Sequence, residues 1–222
     1  MITLSQVKRN PQILRFIRET EKTLAELSYT DHGLRHSTVV ADRALAISKE
    51  VGLTKEETRL SAIAGFCHDM ANFLGRENHN YYGALLFHQV FQKKATPKEL
   101  VRIMGAIAKH DEKEGNIRFT DLIAAIVVLA DKADVHRSRV IVKEMEDIKA
   151  DIHDRVNYAT TSSHLKIDKK KKKITLNLRI DTNFVPIMEY FEIFTDRMVY
   201  CRKAAEYLGY NFGLIINKFR LL

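Results

Sequence analysis

Up to about residue 157, apolar residues recur at three- and four-residue spacing in one segment after another, and five of these stripes end on or contain a histidine or an aspartate. Such spacing lays side chains along one face of a helix. His36 lines up with Val40, Ala44 and Ile47. His68 follows Leu60, Ile63, Ala64 and Cys67, and Asp69 is its neighbour. His79 lines up with Gly83, Leu86 and Val90; His110 follows Ile103 and Ile107; Asp131 follows Ile123 and Val127. A polar group on a buried face is costly without a partner. A lone histidine in such a place is usually a hydrogen-bonded core residue. Five in succession constrain the chain further. The helices must pack so that these groups meet, and a cation is the partner that suits imidazole and carboxylate together.

The periodic segments run approximately over 10–28, 33–52, 55–71, 79–94, 97–110, 119–135 and 137–156. Asp31 precedes one helix, Thr54 and Glu57 form a capping box before another, and Thr96 caps a third ahead of Pro97. Gly115 falls in a polar loop, DEKEGN. The pattern then changes. HLKIDKKKKKITLNLRID alternates on both sides of a lysine run and reads as a β-hairpin with a basic tip. A helix over about 184–208 follows, and NFGLIINKF reads as one more short strand. The expected fold is mainly α: a helical bundle over 1–157 with a small α/β appendage over 158–222. The aromatics Phe184, Tyr190, Phe191, Phe194 and Tyr200 suit core packing of the tail helix.

Composition narrows the class. With 45% apolar and 29% charged residues, the chain reads as a globular protein able to bury one large core. No apolar run is long enough to span a bilayer, and MITLSQVKRNPQ lacks a signal-peptide core. Cys67 and Cys201 form no spaced framework and are expected to be free thiols in a reducing cytoplasm. The net charge of +8 suits anionic partners or simple solubility. Lys169 to Lys173 invites a nucleic-acid reading, but single-strand binders interleave aromatics with basic residues, and none occur here. A solvated hairpin tip is preferred.

The ordered set His36, His68-Asp69 and Asp131 resembles the signature of the HD phosphohydrolase superfamily over roughly residues 30–137. HGLRHSTVVADRALAIS is similar to that family's opening helix. NHNYYGALL, AIAKHDEKEG and LADKADVHR are similar to the later motifs of members that carry two metals. In motif order the chain most resembles the bacterial HD-type hydrolases of diadenosine tetraphosphate, and more distantly the HD phosphodiesterases of cyclic dinucleotides. Two positions depart: Asn72 stands where the family often has lysine, and Asn80 where two-metal members often have proline.

The resemblance implies that His36, His68, Asp69 and Asp131 hold one metal, and that His79 and His110 hold a second with Asp69 bridging. Such donors suit iron, manganese, nickel, cobalt or zinc better than magnesium or calcium. The implied activity is hydrolysis of a phosphate ester or anhydride, in a nucleotide or similar small molecule, through a metal-bound hydroxide. Lys132 would meet the phosphate, as would Arg137 and Arg139. His32, four residues before His36, would touch substrate or donate a proton to the leaving group. Asn72, Arg76 and Asn78 fall between two ligand helices and are candidates for the pocket wall. His136, His153, Asp154 and Arg155 are candidates for supporting positions; His88 and His164 read as surface groups. Two rivals remain: a nucleotide- or RNA-binding or sensing module with an inactive HD site, and a mononuclear nucleotidase using His36, His68, Asp69 and Asp131 alone. A homo-oligomer is compatible with either.

Overall fold

Capping chemistry sets most helix starts in the computed structural model, which describes residues 1–111 and 118–222; Gly115 lies outside them. After a short α1 (Leu4–Lys8), Asn10 accepts from the amides of Gln12 and Ile13 and opens α2 (Pro11–Glu26). α3 (Leu34–Val51) stops at Gly52, whose φ of +87° only glycine adopts without strain. Reciprocal capping boxes start α4 (Lys55–Cys67) at Thr54 and Glu57, and α6 (Pro97–Ala108) at Thr96 and Glu99. Between these two runs α5 (His79–Phe91), and beyond them α7 (Leu122–Lys132), capped by Asp121.

Two expectations are corrected. Asp31 does not cap α3; its carboxylate accepts from the Gly33 amide and pairs with Arg35. The helix expected over 137–156 is instead a 3-10 turn (Arg137–Arg139), an extended stretch, α8 (Met145–Ala150) and α9 (Ile152–Ala159). The reason is side-chain competition. Arg139 turns inward to donate to the carbonyls of Asp31 and Asp134, and Asp151 accepts from the amides of His153 and Asp154, which begins a new helix.

The tail forms the expected hairpin, β1 (Thr160–Asp168) and β2 (Lys173–Ile180), with Lys169 to Lys172 exposed in the turn. α10 (Ile187–Tyr207) then crosses over to β3 (Asn211–Ile216), parallel to β2, and a two-residue β4 (Phe219–Arg220) pairs antiparallel with β3. The sheet order is β1-β2-β3-β4. Ile174, Leu176, Leu178 and Ile180 alternate inward and share a continuous apolar core with Val40 of α3, Leu129 of α7, Val156 of α9 and Phe194 of α10. A second core joins α1, α2, α4, α5, α6 and α7. α3 and α7 contribute to both cores, and α7 ends on Asp131 and Lys132. No helix among the described residues is long and apolar enough to cross a membrane. Cys67 and Cys201 are buried free thiols.

Candidate metal centre

The candidate ligand histidines stand at helix ends, and this placement aims them. His68 is the C-cap of α4, His110 lies two residues past α6, and His79 is the first residue of α5. Helix termini leave carbonyls without intrahelical donors. His68 Nδ1 faces the Gly65 carbonyl at 2.8 Å, and His110 Nδ1 the Ile107 carbonyl at 2.6 Å. His79 Nδ1 faces the Arg76 carbonyl at 2.7 Å. The contact therefore spans three residues in each case. His36, on α3, turns Nδ1 to Asp134 Oδ2 at 2.8 Å. α3 and α4 pack closely at Gly65, where a Cβ would meet Val40 Cγ1 at 3.3 Å.

Carbonyl and carboxylate oxygens only accept, so each Nδ1 carries a hydrogen and each Nε2 is left to face whatever cation or proton lies between the rings. Those Nε2 atoms converge. His36 and His68 Nε2 lie 3.2 Å apart, and His79 and His110 Nε2 lie 3.1 Å apart. Asp69 joins the pairs. Its Oδ2 is 3.1 Å from His68 Nε2 and 3.6 Å from His36 Nε2, while Oδ1 is 3.1 Å from His79 Nε2 and 3.3 Å from His110 Nε2. Asp131 Oδ1 is 3.3 Å from His36 Nε2. Ring nitrogens and carboxylates so close together require positive charge among them. His36, His68 and Asp69 form one set of buried ligand atoms within 4.8 Å of one another; Asp69, His79 and His110 form another. Buried His and Asp groups can thus hold a metal ion here.

The electrostatics agree. Burial would lower the pKa of His68, but Asp69 and Asp131 outweigh it and push it up to about 10: surroundings that favour a cation also favour a proton. Burial would raise Asp69, yet His68, His110 and His79 hold its carboxyl well below the usual range. Asp131 is likewise held down against burial by Lys132 and His36. Burial would lower Lys132, but Asp111 and Asp131, at 3.0 and 2.9 Å, raise it. Burial lowers His32 well below its ordinary value, and the Arg139 cation adds to this. The neutral His32 ring keeps its Nδ1 hydrogen on the Thr30 carbonyl and leaves Nε2 as an acceptor.

A small cleft opens over Asp69, His110 and Asp131, with His32, Arg76 and Lys132 in its wall. Asn72 is fully buried behind it: Nδ2 donates to Asp69 Oδ1 at 3.0 Å, and Oδ1 accepts from Arg76 at 2.8 Å. Its contacts are with the ligand aspartate and the arginine. Asn80 donates to the Ala108 carbonyl and ties α5 to the end of α6, two residues before His110. Arg139 reaches the cleft wall, with its guanidinium donating to the carbonyls of Asp31 and Asp134. Arg137 is exposed, with its guanidinium 5.3 Å from the centre of the Tyr158 ring. Arg155 pairs with Glu189, His136 accepts from Ser138, and His153 lies beside Asp151. His88 and His164 are exposed, as expected.

Three residues at the site escaped sequence reasoning. Asp134 braces His36; its signal is the second carboxylate of LADKAD, one turn after Asp131. Asp111 pairs with Lys132, and its signal is a second His-Asp dipeptide at 110–111. Arg197 of α10 lines the cleft, and no local signal marks it. Comparison with protein-family models and with curated proteins returns no match.

Proposed function

We propose that this chain is a metal-dependent phosphohydrolase of the HD class, holding two divalent cations and cleaving a phosphate ester or anhydride of a nucleotide or similar small molecule. The observation that carries the reading is the shared carboxylate. Asp69 turns one oxygen to His36 and His68 and the other to His79 and His110. A carboxylate can bridge two cations in this way, and a mononuclear site would have no use for the second pair. Bound ions would acidify a water and neutralise phosphoryl charge. The chain's own residues do the rest. Asn72 orients Asp69. The Lys132 ammonium, next to Asp131, is placed to donate to a phosphoryl oxygen, and Arg76 adds a second cation. His32, as a neutral acceptor, receives a hydrogen bond from water or substrate at the cleft wall.

The test begins with metal analysis of freshly purified protein, where about two equivalents of transition metal are expected. A screen of phosphomonoesters, phosphodiesters, nucleotides and dinucleoside polyphosphates follows. Asp69→Ala should lose both the metal and the activity. Full activity in that variant would sink the mechanism.

A further inference from the structure

The cleft has a wall from the far end of the chain. Arg197 sits on α10, between β2 and β3 of the tail, and lines the same cleft as Asp69, His110 and Asp131. Other cations there have partners. Lys132 is paired with Asp111 and Asp131, Arg139 donates to two carbonyls, and Arg76 donates to Asn72. The Arg197 guanidinium lies over the Phe194 ring, 4.7 Å from its centre. Among the described residues no carboxylate lies within ion-pair distance of it. Contact with a ring face leaves the in-plane N–H donors of a guanidinium available.

Its surroundings are unfavourable until an anion arrives. Burial strips water from the guanidinium, and the charges of Arg139 and Arg76 repel it; Asp131 and Asp111 offset only part of this. Nor is α10 loosely placed. The Tyr200 hydroxyl donates to the Lys109 carbonyl, next to the ligand His110, and Phe119 stacks on Tyr200 at 5.6 Å. Cys201, Ala204 and Ala205 are buried one and two turns beyond Arg197. The helix that carries the arginine is therefore anchored beside the cleft.

We propose that Arg197 is a substrate-binding residue that grips a terminal phosphate group across the cleft from Asp69 and Asp131, so that the tail completes the site. This rests on the phosphohydrolase reading above. The cleft lining is charged or imidazole throughout, with no apolar or phenyl surface against which a base could stack. The phosphate enters, and the remainder of the substrate stays outside.

The experiment titrates inorganic phosphate into the metal-loaded full chain and its variants by calorimetry. Arg197→Ala should keep wild-type metal content and thermal midpoint yet weaken phosphate binding by about 10- to 100-fold, the loss of one or two charge-assisted hydrogen bonds. Arg197→Lys should fall between, since an ammonium keeps the charge but not the fork. Added guanidinium ion should restore part of the affinity of the alanine variant, which a merely structural role would not produce. Unchanged phosphate affinity at full metal content overturns the role of Arg197 and leaves the hydrolase reading intact. Loss of metal together with phosphate makes Arg197 a structural residue and also overturns the proposal. Wild-type protein that takes up no metal defeats the underlying reading instead. Arg197→Gln, which keeps a long side chain over Phe194, carries the test should the alanine variant not fold.

Discussion

His36 and His79 stand on opposite sides of Asp69, and what lies behind each ring differs. Behind His36 is a carboxylate, Asp134 at 2.8 Å, gripped in turn by Arg35 at 3.0 Å and Arg43 at 3.5 Å. Behind His79 and His110 are only backbone carbonyls, those of Arg76 and Ile107. The first side also has Asp131 at 3.3 Å from His36 Nε2, whereas Asp111 comes no closer than 3.9 Å to His79 Nε2 and is paired with Lys132. A carboxylate behind an imidazole raises its basicity as well as fixing its orientation; a carbonyl mainly orients it. On the proposed two-metal reading, the first half-site should therefore hold its cation tightly, and the second should exchange.

The largest effects test whether the halves separate at all. His110→Ala should keep about one equivalent of metal through dialysis, because the His36, His68 and Asp131 side survives. His68→Ala should lose the tightly held ion. Both should lower activity by about a thousandfold, since each ion contributes several kcal/mol to stabilising phosphoryl charge. If His110→Ala sheds both ions as readily as His68→Ala does, the asymmetry is false. The next effect concerns the scaffold of the first half. Arg139 is 2% exposed and joins the Asp31 turn to the Asp134 turn. Arg139→Ala strands buried carbonyls and should cost about 3 kcal/mol in urea denaturation. Arg137→Ala, on the exposed face, should stay within about 0.5 kcal/mol. A smaller change follows from Asp134→Asn, which keeps an acceptor for His36 but removes the charge. Chelator competition should show the tight ion weakened by about 10- to 100-fold, with the weaker ion unaffected.

The helices that carry the ligands were legible because each has a long apolar stripe and a cap with known chemistry. Capping boxes at Thr54 and Thr96 begin α4 and α6 at the expected residues. What periodicity cannot give is the point at which a helix stops relative to its last stripe residue. His68 reads as lying inside a helix that runs to 71 and His110 as the last residue of its own, yet they stand at or just beyond the ends, where they take up carbonyls at Gly65 and Ile107. The stretch after Asp131 failed for a similar reason. Helical spacing over 137–156 was real but lost to the long-range pull of two carbonyls on Arg139 and to the cap at Asp151. Arg197 was invisible because its role depends on a crossover that brings α10 against α7, a tertiary fact with no local imprint.

Asp134 and Asp154 extend the comparison to stability. Both are buried carboxylates, at 1% and 4% exposure. Burial alone would raise each pKa; at Asp134 the hydrogen bond from His36 and the charges of Arg139 and Arg43 overcome it and hold the carboxyl far below the usual range. Among the described residues Asp154 has no such partner. Its Oδ1 is buried without a hydrogen bond, and burial together with the Asp151 charge pushes its pKa up to about 6 from the ordinary 3.8. The sign follows. The folded chain holds this proton more tightly than the unfolded chain, so stability from this group is full below about pH 4 and falls as pH rises through 6. The two-unit shift sets a ceiling near 3 kcal/mol, and a carboxylate in the first turn of α9 recovers a part through the helix dipole. Asp154→Asn should therefore be more stable than wild type by about 1–2 kcal/mol at pH 7.5, with the gap closing at pH 4. Thermal unfolding of the two proteins at both pH values, each with metal removed by chelator, measures it. Parallel pH profiles would mean that Asp154 finds a partner in solution and that burial without pairing is not what separates these two aspartates.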